Sequence, residues 1–201
     1  MEKMSIIPIV GGNDQDFIKS SKIELTNYEV FLDEELSEPS NYRELISVLF
    51  NASENDTITF YINTIGGSLA TTLAIIEGIK HTNATVTGIL MGETHSGGSM
   101  IAMYCPQLVI LDSAEMMVHH ASYGSHGTAN NVARHAEFAT RRVEALLDEA
   151  YAGFLTDEEI TDVKKGVELW FTAAEIRERA EKRAEHLRQL YGEDEEDEAR
   201  E

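Results

Sequence analysis

Apolar and polar positions along this chain follow two different periods. Residues 57–62 alternate, with Ile58, Phe60 and Ile62 on one side, and this pattern predicts a strand. The next segment predicts a helix, because its apolar residues recur at helical spacing: Leu69, Leu73, Ile76 and Ile79. Residues 86–91 form a short apolar run typical of a strand buried on both faces. The order strand, turn, helix, strand predicts an α/β fold with a mainly parallel sheet and crossover helices.

Other periodic segments extend this pattern. Short strands are expected at residues 29–32, 107–111 and 115–118, and a long amphipathic helix over about residues 129–153. Ser40 is expected to cap an early helix. Two Thr-x-x-Glu capping boxes predict helices that begin near the residues Thr156 and Thr172.

Length and charge place limits on organisation and partners. We expect an N-terminal segment or loop over residues 1–27, one folded domain over 28–191 and a disordered acidic tail over 192–201. The formal net charge of −20 argues against nucleic-acid binding. No apolar run reaches the length of about 18 residues that a membrane span requires. The single cysteine and the lack of a secretory leader favour a cytoplasmic location.

A glycine-rich turn, residues 92–98, follows the apolar run and precedes a second apolar segment. It delivers Ser96 to a strand-to-helix elbow, where a serine hydroxyl is exposed beside backbone N–H groups. The alternative interpretation is an ordinary connection that happens to contain serine.

Two further segments are expected beside this turn, at the carboxyl ends of neighbouring parallel strands. One is the glycine turn 65–68, and the other is the strand end 116–120. A serine nucleophile needs a base to take its proton and donors to stabilise the oxyanion. His119 is a candidate base, and the backbone N–H groups of Gly67 and Gly97 are candidate donors.

Three ordered motifs carry a specific resemblance: Ile-Asn-Thr-Ile-Gly-Gly-Ser at 62–68, Met-Gly-Glu-Thr-His-Ser-Gly-Gly at 91–98 and Met-Val-His-His at 117–120. They resemble the Clp protease proteolytic subunits, a family of self-compartmentalising serine peptidases with a ββα-superhelical, crotonase-like fold. That family typically shows Ile-Asn-Ser-Pro-Gly-Gly-Ser, Met-Gly-Gln-Ala-Ala-Ser-Met-Gly and Met-Ile-His-Gln-Pro. The similarity extends from about residue 28 to residue 180.

The resemblance implies a role for each matching residue. Ser96 corresponds to the nucleophile and His119 to the general base, with Gly67 and Gly97 as oxyanion-hole donors. The family's catalytic aspartate corresponds here to Glu168, which precedes an aromatic residue by two positions. Asp162 is a less favoured substitute for that acid because it lies further upstream.

Three departures from the family pattern bear on rigidity and assembly. Ile65 replaces the proline that precedes the glycine pair. His95 replaces an alanine before the nucleophile; one interpretation is that it modulates the serine, and the favoured one is a partly exposed loop histidine without a role. Gly166 and Val167 replace an Asp-Arg pair through which two rings of the family contact each other, so one ring and two stacked rings both stay open.

The resemblance implies an ATP-dependent type of serine endopeptidase that cleaves polypeptides inside a ring of seven subunits, fed by an AAA+ unfoldase ATPase. Two alternatives are a catalytically impaired ring subunit and a phage protease that processes capsid or scaffold proteins without an ATPase. No cofactor is expected. The histidines at 119, 120 and 126 lack the spacing of metal ligands, so no metal site is predicted.

Overall fold

The structure is a computed structural model that describes the backbone of residues 25–198 and the side chains of residues 25–190. Its strands are β1 (Asn27–Leu32), β2 (Thr57–Thr64), β3 (Thr85–His95), β4 (Gln107–Ile110), β5 (Glu115–Val118) and β6 (Leu169–Thr172). Its α-helices are α1 (Arg43–Asn51), α2 (Leu69–His81), α3 (Gly97–Tyr104), α4 (Ala129–Ala150), α5 (Asp157–Lys164) and α6 (Ala173–Glu198).

All six strands belong to one sheet whose neighbours run in the order β1, β2, β3, β5, β6. The strand β4 pairs with the first half of β3, and β5 continues beside the last residues of β3. Every pair is parallel except β5 with β6. The mixed α/β fold with a mainly parallel sheet is confirmed, and it brings the carboxyl ends of β2, β3 and β5 to one edge.

One face of the sheet forms the core. In β2 the predicted alternation is confirmed, because Ile58, Phe60 and Ile62 are fully buried and the residues between them are partly exposed. The strand β3 follows the same alternation, so the expectation that it is buried on both faces is wrong. Its residue Met91 is 38% exposed, because the described helices leave that part of the outer face uncovered.

Side-chain hydrogen bonds mark the residues at which two of the helices begin. The capping box at Thr156 is confirmed, since its hydroxyl accepts from the backbone of Glu159 and the Glu159 carboxylate accepts from Thr156. Thr172 likewise donates its backbone N–H and its hydroxyl to Glu175 at the start of α6. The expected cap at Ser40 is wrong, because Pro39 opens a short 3-10 turn in front of α1 that contains this serine.

The last helix is longer than its sequence suggests. α6 runs to Glu198, and the disorder expected over residues 192–201 stays a prediction. Nearly all of the N-terminal segment 1–27 lies outside the described residues. Within the described part of the chain, no helix combines the length and apolarity needed to cross a membrane.

Asp56 fixes the start of the β1–β2 pair. Its buried carboxylate accepts from the backbone N–H of Thr26 at 2.7 Å and from the backbone N–H and hydroxyl of Ser53 at 2.7 and 2.9 Å. The backbone bond from Ser53 is the main reason why the pKa of Asp56 lies below the ordinary aspartate value.

Asp56→Asn should lower the free energy of unfolding at neutral pH by about 1–3 kcal/mol, because an amide cannot accept all of these bonds. The lowered pKa means that the contribution is present above the unfolded-state value, near 3.9, and is lost as the pH falls through the folded-state value. Urea unfolding at pH 7 and below pH 3 measures the free energy of unfolding of parent and variant. If that free energy differs between them by the same amount at the two pH values, the assignment is contradicted.

Candidate active site

Ser96 occupies the elbow between the last residue of β3 and the first residue of α3. Its backbone has φ 52° and ψ −119°, and it is the one non-glycine residue with positive φ among those described. Such a conformation costs of the order of 1–3 kcal/mol and persists only where the surroundings impose it. This elbow is the local geometry expected of a serine whose hydroxyl must stand clear of the sheet.

The structure brings Ser96 and His119 together. The distance between His119 Nε2 and Ser96 Oγ is 2.8 Å, a hydrogen-bonding distance. The neighbouring backbone holds the two strand ends in place, since the N–H of Ser96 donates to the carbonyl of Met117 at 2.9 Å. A neutral imidazole that accepts the serine proton at Nε2 carries its own proton on Nδ1.

Glu168 is not hydrogen-bonded to His119, and its exposed carboxylate makes no hydrogen bond or ion pair within the described residues. The last antiparallel pair of β5 and β6 joins Val118 to Leu169. His119 directly follows that pair on one strand, and Glu168 directly precedes it on the other.

Asp162, the other candidate acid, has a partner elsewhere. Its carboxylate accepts from Lys165 Nζ at 3.3 Å, and it belongs to α5, which lies ahead of β6 in the chain. Of the two acids, only Glu168 directly adjoins the strand that pairs with β5.

The glycine turn after β2 packs directly on the serine elbow. A Cβ added to Gly66 would lie 2.7 Å from Ser96 Cβ and 2.8 Å from the Gly97 nitrogen, so this position excludes any side chain. Bonds to Leu36 fix the turn, because Leu36 donates to Gly66 O and Ser68 donates to Leu36 O, both at 2.7 Å.

The backbone N–H groups of Gly67 and Gly97 are free to bind a ligand. Neither donates to another protein group within the part of the chain that the structure describes. Gly67 has φ 142°, and a Cβ there would collide with the backbone of Leu36. Gly97 opens α3, where an N–H without an intrahelical partner is expected.

A cleft of about 390 Å³ opens beside these groups. Ser96, His119 and the glycine turn form its polar side. Its opposite side is apolar and is lined by residues from α2, α3 and α4: Leu69, Met100, Val143, Leu146 and Leu147. The cleft can therefore hold an apolar side chain next to the serine hydroxyl.

Ser99 and Tyr151 hold the elbow through buried hydrogen bonds, a role that no sequence motif indicated. Ser99 Oγ lies 2.6 Å from the Tyr151 hydroxyl and 2.7 Å from the Ser96 carbonyl oxygen. Burial raises the pKa of Tyr151, so its hydroxyl stays protonated at neutral pH. The two residues are 52 positions apart, which leaves no local pattern to detect.

His95 differs from its sequence interpretation. It is 5% exposed rather than partly exposed, because β3 continues beyond residue 91 and ends at His95. The ring of Trp170, from β6, packs edge-on against it with centroids 5.0 Å apart. Cys105 is buried, and burial raises the pKa of its thiol to about 12.

Comparison with known proteins decides the family. The sequence profile of the Clp protease family matches residues 13–179, which is most of the chain. The chain belongs to the Clp protease family. Residues 13–24 of this match lie outside the described residues, whereas the serine elbow, the glycine turn and His119 all fall inside it.

Three curated relatives of this Clp family member are proteolytic subunits of ATP-dependent Clp proteases. The one from Chlorokybus atmophyticus is 33% identical over 127 residues, covering 61% of this chain and 56% of that protein. Subunit 1 from Streptomyces coelicolor is 29% identical over 154 residues, covering 74% and 69%. The one from Mesostigma viride is 32% identical over 126 residues, covering 61% and 55%. The chain thus spans little more than half the length of the relatives from Chlorokybus atmophyticus and Mesostigma viride.

Proposed function

We propose that this chain is a serine-type endopeptidase subunit that cleaves peptide bonds with Ser96 as nucleophile and His119 as general base. The observation that carries the proposal is the 2.8 Å separation of Ser96 Oγ and His119 Nε2 at a strained elbow beside two free backbone donors. Membership of the Clp protease family supports the same chemistry.

The reaction has two halves. Ser96 Oγ attacks the carbonyl carbon of the scissile bond while its proton passes to His119 Nε2. The C–N bond then breaks as His119 returns that proton to the leaving amine, and an acyl ester stays on Ser96. A water molecule then gives a proton to His119 and attacks the ester carbonyl. The bond from that carbonyl to Ser96 Oγ breaks, His119 returns the proton to Oγ, and the new carboxyl group leaves. The N–H groups of Gly67 and Gly97 stabilise the oxyanion in both halves.

Glu168 is the acid that we assign to orient His119. The proton on Nδ1 of the catalytic imidazole needs an acceptor, and no described residue provides one in the resting geometry. Glu168 directly precedes the Leu169–Val118 pair that His119 follows, and its exposed side chain is held by no bond within the described residues, which supports this assignment. A glutamate has one more methylene than the family's aspartate, which gives it additional reach.

The cleft favours peptides with an apolar side chain next to the scissile bond. Its wall on α4 consists of Val143, Leu146 and Leu147, and none of these can bind a charged group. An apolar side chain seated there would exclude water and gain about 25 cal/mol for each Å² buried. Peptides with leucine at this position are therefore preferred over peptides with aspartate.

Assembly with other proteins is the second part of the proposal. Phe31, Tyr61, Ile89 and Val109 are register neighbours on the outer face of the sheet. Phe31 is 59% exposed and Val109 is 46% exposed, and the rings of Phe31 and Tyr61 stack at 4.7 Å. An apolar row of this kind favours contact with another protein. It supports contact between subunits, and the family resemblance alone implies that these form a cytoplasmic ring of seven copies served by an AAA+ unfoldase ATPase.

A fluorophosphonate probe tests the catalytic proposal directly. It should react covalently with the parent protein at one residue, Ser96, because only an activated serine attacks such a probe. Peptide mapping by mass spectrometry identifies the site, and native mass spectrometry of the same sample measures the size of the ring. A folded protein that stays unlabelled would favour the catalytically impaired subunit instead.

A further inference from the structure

Two carboxylates and an imidazole meet at the end of β3, beside the serine elbow but outside the cleft. Glu93 and His95 are two positions apart on β3, so their side chains project from the same face of the sheet. Glu115, the first residue of β5, is the register partner of Glu93. One potential ligand atom from each of the three lies within 4.8 Å of the other two.

The imidazole of His95 is the unusual member of this group. The residue is 5% exposed, and its Nε2 is buried without a hydrogen-bond partner among the described residues. An unsatisfied buried polar atom costs of the order of 1–3 kcal/mol, so its presence calls for a partner that the protein atoms do not supply. The Trp170 ring packed edge-on at 5.0 Å restricts rotation of the imidazole away from the two carboxylates.

We propose that Glu93, His95 and Glu115 bind a divalent transition-metal ion, with Zn²⁺ as the preferred metal. Imidazole nitrogen and carboxylate oxygen are both ligands that Zn²⁺ accepts, and three protein ligands leave a fourth tetrahedral position open. His95 Nε2 and Glu115 Oε1 are 3.3 Å apart. Two ligands about 2.0–2.1 Å from a tetrahedral ion are separated by about 3.3 Å. Glu93 and Glu115 are exposed, so the ion can enter from solvent and Glu93 can rotate inward.

A protonated His95 paired with Glu115 is the competing explanation of the same contact. The contact at 3.3 Å meets the distance of an ion pair, but its geometry does not make it a hydrogen bond. A single imidazolium would also have to balance two carboxylates with one positive charge. A dication satisfies the imidazole lone pair and both carboxylates together, and this is why the metal is the better assignment.

The bound ion would join the two strands that deliver Ser96 and His119. His95 is adjacent to Ser96 in the chain, and Glu115 lies four residues before His119. The only backbone bond that links Ser96 to the end of β5 in the described structure is its N–H to Met117 O. A metal ion bound by residues of both strands would add a link to the existing pairing of β3 and β5 and stabilise this edge of the sheet.

The experiment measures zinc binding by the untagged full chain after treatment with a chelator and dialysis. Calorimetric titration should show one tight equivalent per chain in the parent. His95→Ala should lose that equivalent, and Glu115→Gln, which keeps the side-chain shape, should weaken binding by tenfold or more. His81→Ala is the matched control: it removes an exposed histidine beside a glutamate, Glu77, and should bind like the parent.

Two further measurements make the result decisive. His119→Ala should keep the zinc equivalent, because His119 belongs to the cleft and not to this cluster. Zinc should raise the melting temperature of the parent and of His81→Ala, but not that of His95→Ala. The proposal is overturned if the parent binds no zinc, if Glu115→Gln binds as tightly as the parent, or if binding is lost with His119 rather than His95. None of these measurements depends on peptidase activity.

Discussion

Replacing Ser96 with alanine should reduce kcat/KM for a peptide with an apolar residue at the cleavage site by roughly 10⁵- to 10⁶-fold. Loss of a serine nucleophile removes the acyl-enzyme route altogether and leaves only binding and the oxyanion donors. The substitution retains Cβ and therefore the elbow conformation at φ 52°, so the fold and the assembly should not change. A fluorogenic peptide assay measures the rate, and native mass spectrometry measures the assembly.

Ser47→Ala provides a matched control for this variant. Ser47 is an exposed serine on α1, remote from the cleft, and its removal should leave the rate unchanged. If Ser96→Ala cleaves the peptide as fast as Ser47→Ala, the nucleophile is a different residue.

Glu168→Gln should lower kcat by about 10²- to 10⁴-fold with little change in KM. An amide at this position no longer stabilises the imidazolium and does not enforce the tautomer that accepts the serine proton. Glu168 acts through His119 and not on the substrate, so binding in the cleft should be preserved. Steady-state kinetics separate the two parameters, and slower fluorophosphonate labelling provides an independent measure of serine activation.

Conservative and control variants distinguish positioning from a structural effect. Glu168→Asp should retain much more activity than Glu168→Gln, because it keeps the charge. Asp162→Asn removes the neighbouring acid, which pairs with Lys165, and should leave kcat near that of the parent. If Asp162→Asn causes the larger loss, the role of orienting acid passes to Asp162.

The sequence predicted most of the sheet because burial of one face imposes a detectable period. In β2 the alternation of Ile58, Phe60 and Ile62 appears directly in the burial pattern. The strand β6 was not predicted, because it has four residues and only Phe171 among them is buried. Its pairing with β5 is a tertiary contact, and no local pattern of apolar residues predicts it.

The candidate site was predictable where backbone geometry requires particular residues. Gly66 must lack a side chain because Ser96 lies against it, so the glycine pair and the serine turn could be identified as motifs. The interpretation of His95 failed for the opposite reason. Its burial depends on a distant residue, Trp170, and on a strand that extends beyond the apolar run.

The antiparallel direction of β6 has a consequence for how this site can change in evolution. Glu168 directly precedes β6, so its position depends on the turn that joins Lys164, the end of α5, to Leu169, the start of β6. Within that turn Gly166 adopts φ 96°, a conformation that side chains rarely tolerate. Inserting one residue would shift the acid by about 3.4 Å or turn it to the opposite face. Exchange between aspartate and glutamate is a far smaller step, so homologues should vary the acid more readily than the length of this turn.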